Sequence, residues 1–284
     1  MGAVMEKIVL NPVLLKGRGV EAAAPGEDVI VRRPLYVLAV GRTTVDLDGP
    51  AFLVRCQGRA DVRYPLARVS RVIASAQVEW SARALAACLE SGIPVVITGS
   101  GNAPVGYLLP GMRASSRLSR ELGEFIDRPD WKERYADWLR AERMRVFAEW
   151  QRRRESAGNP LPQEALRELK RRYVYLDDRS EGLPLNGLLS AAIRAAVAEQ
   201  LQKAGLSAVY WGFRGEALHL LEDVSRLLEL VLHFEWHGLG EAARFEGPAL
   251  LRVFHAFARA LTAHCNSVLG HLHRYVKSFL EEWR

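Results

Sequence analysis

The spacing of apolar residues changes once along this chain, near Pro110. Before that point, short apolar runs at residues 29–31, 35–40, 52–56, 69–74 and 94–98 alternate with turn formers. The turn formers are Gly41, Asp48-Gly49-Pro50, Gly58 and Gly99-Ser100-Gly101-Asn102. Runs rich in β-branched and aromatic residues between such breaks predict strands. One helix interrupts them, with Ser81 placed as its N-cap and Leu85, Cys88 and Leu89 as its apolar face up to Gly92. After Pro110 the period becomes 3.6. Residues 113–126 and 131–154 read as long, arginine-rich helices. Asn159-Pro160-Leu161-Pro162 breaks the pattern and residues 163–173 resume it. Leu185, Leu188, Leu189, Ala192, Ile193, Ala196, Val197 and Leu201 form one apolar stripe, closed by Gly205 as C-cap. Residues 217–232, 248–263 and 265–283 read as further helices. The expected fold class is α+β: a small amino-terminal β-rich domain over 1–110, followed by a larger all-α carboxy-terminal domain over 111–284.

Several classes are excluded by composition. Of the 284 residues, 49% are hydrophobic and 25% charged, so wholesale disorder is ruled out. No apolar run approaches the ~18 residues of a membrane span. Glu6, Lys7, Asn11 and Pro12 break up the first sixteen residues against a secretory signal. Cys56, Cys88 and Cys265 are too scattered for a disulfide framework or a zinc site, and the expected setting is cytoplasm.

The net charge is +6, and 33 of the 39 basic residues are arginine. Genome bias produces such a split, and so does phosphate recognition, because the guanidinium fork matches phosphate oxygens bidentately. Residues 113–179 carry 17 basic and 13 acidic side chains, a net of +4, so no uniform basic arm exists there. A phosphate-binding stripe is expected from Arg113, Arg117 and Arg120, or from Arg140, Arg143 and Arg145. His264 and His271 stand seven apart on one helix face with Tyr275 a turn further on, and read as surface or interface histidines. His219 and Glu222 stand at i and i+3, where two side chains can share a cation. Gly99-Ser100-Gly101-Asn102 is followed by no lysine and no helix start, so it reads as a turn and not a phosphate loop.

Residues 63–111 taken together carry a specific pattern. It runs through Arg63-Tyr64-Pro65-Leu66, Val72-Ile73, Ser81, Ala84-Leu85, Gly92-Ile93-Pro94-Val95-Val96, Gly101 and Gly106-Tyr107-Leu108-Leu109-Pro110. This closely resembles the amino-terminal domain of the CRISPR-associated "Cas one" family, the integrase of the spacer-acquisition module. Leu35-Tyr36-Val37, Pro184-Leu185-Asn186-Gly187-Leu188-Leu189-Ser190, Gly212-Phe213 and Leu220-Leu221-Glu222 follow in the family's order. The resemblance implies a protein that dimerises through its β-domain and carries a metal-dependent site in its helical domain. It also implies double-stranded DNA and the small second CRISPR-associated protein as partners. The reaction would be attack of a DNA 3′-OH on a phosphodiester of the repeat array, with Mg or Mn stabilising the displacement.

The chain departs from that family at its ligands. No Gly-x-Glu-Gly occurs, Arg214-Gly215 stands where the family histidine is expected, and His219 takes the acid position three before Glu222. Glu222, with Asp223 beside it, remains of the ligand set. One glutamate and one imidazole hold magnesium poorly, since that ion is anchored by carboxylates and substrate phosphates. The expectation is a DNA-binding member that is catalytically impaired, working beside an active paralogue or partner. The alternatives are an enzyme rebuilt around Glu222, His219 and Asp177 or Asp178, and a scaffold without a nucleic-acid role.

Overall fold

A computed structural model of the chain describes residues 32–39, 41–111, 115–175, 186–211, 218–237 and 247–282. They fall into two compact units, one drawn from Met1–Gly111 and Asn186–Glu199, the other from Met112–Leu185 and Gln200–Arg284. The β-rich part followed by a mainly helical part is the expected α+β class.

The first unit holds two four-stranded sheets. Strands β1 (Arg33–Val37), β5 (Val69–Ser75), β7 (Val95–Thr98) and β8 (Pro104–Leu108) lie in that order, parallel except for the β7/β8 pair. The second sheet is ordered β4 (Val62–Pro65), β3 (Ala51–Cys56), β2 (Thr43–Asp48), β6 (Glu79–Trp80). Gly49, at φ +55°, makes the β2–β3 turn that Asp48-Gly49-Pro50 announces. Leu35, Val37, Val72, Ala74 and Val95 of the first sheet share one core with Val45, Phe52 and Val54 of the second. Tyr36, Arg71, Ile73 and Val96, on the alternate positions, are buried as well. A strand covered on both faces reads as a continuous apolar run.

Helix α1 (Ala82–Glu90) is capped as expected, with Ser81 Oγ accepting from the Ala84 N–H at 3.2 Å. Its buried face differs from the expected one: Ala84, Ala87 and Cys88 point inward, while Leu89 is 37% exposed. The 100–102 segment is a tight 3-10 turn between β7 and β8, with Gly101 and Asn102 both left-handed. Helix α5 (Gly187–Lys203) opens on Asn186, whose Oδ1 accepts from the Leu188 N–H at 2.9 Å. The sequence predicts one stripe; the structure buries Leu188, Leu189, Ala191–Ala195 and Val197–Leu201, so α5 is a core helix on nearly all sides.

The second unit is built from α2 (Arg117–Ile126), α3 (Trp131–Ser156), α4 (Gln163–Tyr173), the end of α5, α6 (Leu220–His237) and α7 (Gly247–Glu282). Phe125 packs edge-on against Phe279, and Trp150 stacks on Phe234 at 4.5 Å beside Phe147 and Tyr173. The two helices expected over 248–263 and 265–283 are one continuous helix of 36 residues. His264 and Cys265 face inward on it and nothing there breaks the backbone pattern. Among the described residues no helix is long and apolar enough to cross a membrane.

Candidate functional site

The acids singled out in the sequence lie on the first turn of α6. Leu220, Leu221 and Val224 are buried on that turn, which leaves Glu222 and Asp223 half-buried at its rim. His219 precedes α6, is exposed, and its carbonyl accepts the Asp223 N–H at 2.9 Å. Asp223 is held by α3: Tyr135 Oη–H donates to its Oδ2 at 3.0 Å. Glu222 accepts from Arg226 Nε, one turn on, at 3.0 Å.

Arginines surround this corner. Arg143 is half-buried, donates from Nε to the Val174 carbonyl at 2.9 Å, and lies in the field of Asp223 and Arg226. Burial, then the neighbouring Arg140 and Arg226, lower its pKa. Burial is also the main influence on Asp223 and raises its pKa, opposed by the Tyr135 hydrogen bond, His219 and Arg226. Tyr135 is raised well above the phenol range by burial and by Asp223, so its proton stays in the bond it donates.

That arrangement fixes a pH dependence. Asp223 has a folded pKa above its unfolded value, so its contribution to stability is present at acid pH and is lost as pH rises through the folded value. At neutral pH its buried charge opposes folding. Asp223→Asn, which still accepts from Tyr135, is expected to unfold at higher denaturant concentration than the wild type at pH ~7. The gain should vanish at pH ~3, where both side chains are neutral. Equal midpoint shifts at the two pH values would contradict this account.

The remaining candidates are distributed as follows. Arg117 pairs with Glu121 at 2.7 Å and, with Arg120 and Lys277, borders a shallow hollow between α2 and α7. Arg140 is exposed and paired with Asp137 at 3.0 Å. Arg145 turns instead to Glu142 and His271. Arg113, Asp177, Asp178 and the 212–217 segment with Arg214-Gly215 lie outside the described residues.

A second polar cluster was not identified from sequence. Glu142 of α3 is 2% exposed, and its carboxylate meets Arg145 on one oxygen and His271 Nδ1, at 3.0 Å, on the other. In sequence it is one acid among many in a charged helix. The sign of its burial lay in the partner helix, where His264, His271 and Tyr275 share a face; Tyr275 Oη–H donates to the Arg134 carbonyl at 3.0 Å.

The family profile described as CRISPR associated protein Cas1 matches residues 35–201, more than half of the chain. The chain belongs to the Cas1 family. No curated protein matches it by sequence. A Cas1 protein from Thermotoga maritima superposes with a TM-score of 0.59 at 12% identity, covering 84% of this chain and 96% of that one. TtCas1 in a DNA complex gives 0.55 at 17% identity, covering 85% and 90%. A casposase bound to integration product gives 0.55 at 10% identity, covering 85% and 91%.

Cas1 proteins are typically metal-dependent, and among the described residues the donors at the start of α6 are engaged by other side chains or stand apart. Glu222 is occupied by Arg226, Asp223 by Tyr135, and His219 stands exposed before the helix. Among the described residues no three His, Cys, Asp or Glu side chains gather as a metal-binding group. Arg143 and Arg226 already supply positive charge beside both acids.

Proposed function

We propose that this chain is a DNA-holding member of the Cas1 family that takes part in spacer acquisition and has lost, or largely lost, the joining reaction. The observation that carries the reading is the charge match on α6, where Arg226 occupies Glu222, the carboxylate expected to bind metal with His219, and Tyr135 occupies Asp223 beside it. A cation placed there would have to displace a guanidinium and would meet the repulsion of Arg143. The DNA side of the reading rests on the family and on the exposed Arg117, Arg120 and Arg140. Arg143 contributes to the corner instead, through its bond to Val174. A second copy joined through the β-rich unit completes the DNA-binding surface. The small second CRISPR-associated protein, or an active paralogue, supplies the assembly; one chain of a solved Cas6-RT-Cas1–Cas2 complex superposes on 90% of this chain over 36% of its own length, with a TM-score of 0.55 at 12% identity.

Two measurements test this. Incubated with a 3′-OH DNA fragment and a repeat-bearing plasmid in Mg²⁺ or Mn²⁺, the protein is expected to give no joined product. Joining that Glu222→Ala abolishes would overturn the loss of chemistry. Duplex binding should weaken by roughly 10³-fold or more between 50 and 200 mM salt if about six phosphates are neutralised. Arg117→Ala and Arg120→Ala should each lower the salt slope by about one. Salt-independent or absent binding would point to the scaffold alternative.

A further inference from the structure

The seam between α3 and α7 contains one nitrogen with two incompatible partners. His271 Nδ1 stands 3.0 Å from Glu142 Oε2 and 2.7 Å from Arg145 Nη1. A carboxylate oxygen only accepts and a guanidinium only donates. Nδ1 without a proton can accept from Arg145 but then sets a lone pair against Glu142. Nδ1 with a proton can donate to Glu142 but then faces the Arg145 donor. Nε2 faces Ser267 Oγ at 3.4 Å, a hydroxyl able to donate or accept, so it accommodates either state.

We propose that this seam is a proton-operated switch: the neutral His271 ring accepts from Arg145, which also pairs with Glu142 Oε1, and the protonated ring donates to Glu142 Oε2, replaces Arg145 as the cation at that carboxylate and turns the guanidinium off both partners into the adjoining cleft. No covalent bond changes; one proton from solvent is taken up on Nδ1. Arg145 is half-exposed, and the cleft it borders, about 520 Å³ and lined also by Trp138, Arg274 and Tyr275, has room for the released side chain. Glu142 makes the switch possible because it is buried and therefore must keep a cationic or N–H partner in both states.

From α3, Asp137 borders the same cleft but is paired with Arg140. From α7, Arg274 lies one turn on and His264 two turns back. His264 is held below the ordinary imidazole range by burial, against the pull of Glu149 and Glu142, with His271 and Arg153 opposing a further proton. Burial thus disfavours a charge on His264. Glu121 of α2 is engaged with His273, and Glu235 of α6 with Arg153, so neither enters.

The test is nitrogen NMR of the imidazole and guanidinium groups of the full chain, titrated over the pH range of roughly 5 to 8 in which imidazoles change charge. At the alkaline end His271 should carry its proton on Nε2 with the Arg145 N–H protons protected. On acidification an Nδ1 proton should appear, and Arg145 protection should fall roughly threefold to tenfold at the same midpoint, the worth of one modest hydrogen bond. In His271→Gln the Arg145 change should be absent. An Nδ1 proton already present at the alkaline end, Arg145 signals unmoved through the titration, or an Arg145 transition persisting in His271→Gln would each overturn the switch. The wild-type titration decides alone if the variant does not fold.

Discussion

Arg71→Met is expected to lower the unfolding free energy by about 3–5 kcal/mol, a large fraction of the stability of a protein this size. Arg71 leaves β5 on the face turned away from the second sheet, beside Tyr36, and meets Glu199 of α5 at 2.5 Å. Both side chains are about nine-tenths buried, at 10% and 11% exposed. Removing the guanidinium takes the facing cation from a carboxylate only 11% exposed, and the loss is mainly the cost of keeping that charge buried. Burial has already pushed the neighbouring Tyr36 phenol up to about 12, so no anion forms there to share the guanidinium. The double variant Arg71→Met, Glu199→Leu is therefore expected to recover most of the loss, since replacing a whole buried pair by apolar groups is often neutral or favourable. Denaturant unfolding of the two single variants and the double variant measures this. Single variants within ~1 kcal/mol of wild type, the worth of an exposed pair, would show that the pair is solvated.

Gly187→Val should have the next largest effect, about 1–3 kcal/mol, the usual range for overfilling a packed site. A Cβ at Gly187 would fall 2.7 Å from Ala103 N and 2.9 Å from Asn102 C, and against the Gly101 carbonyl oxygen as well. All three atoms are backbone, and they belong to the turn in which Gly101 and Asn102 are left-handed. Such a turn has no rotamer to change and little freedom to retreat. Gly123→Ala is the control: the nearest atom there is the tip of the Tyr210 side chain at 3.1 Å, which can move aside. Similar midpoints for the two variants in thermal unfolding would refute the idea that the turn is rigid.

Legibility in the sequence followed burial. Strands β1, β3, β5 and β7 are mainly apolar and were anticipated, whereas β2, β4 and β8 carry polar or glycine positions such as Asp46, Arg63 and Gly106 and were not. Capping chemistry at Ser81 was local and therefore readable. The extent of α7 was not, because His264 and Cys265 look like an interruption until α3 is seen to face them. The α6 corner was half legible: Glu222 and Asp223 stand in the sequence, but Tyr135 and Arg143 reach them from about eighty residues upstream. Glu142 was invisible for the same reason. A charged residue on a charged helix gives no sign that another helix will cover it.

Helix α5 also sets a timetable for synthesis. The strands of the first sheet are complete once Leu108 has been made, yet Gly187–Glu199, which answers Arg71 and packs on the β7–β8 turn, comes almost eighty residues later. At ribosomal speeds of about 5–20 residues per second, one face of the new sheet waits several seconds for its cover. Tyr36, Ile73 and Val96 belong to that face. Until then that face has no α5 to cover it, and a product cut off near residue 111 would leave it so.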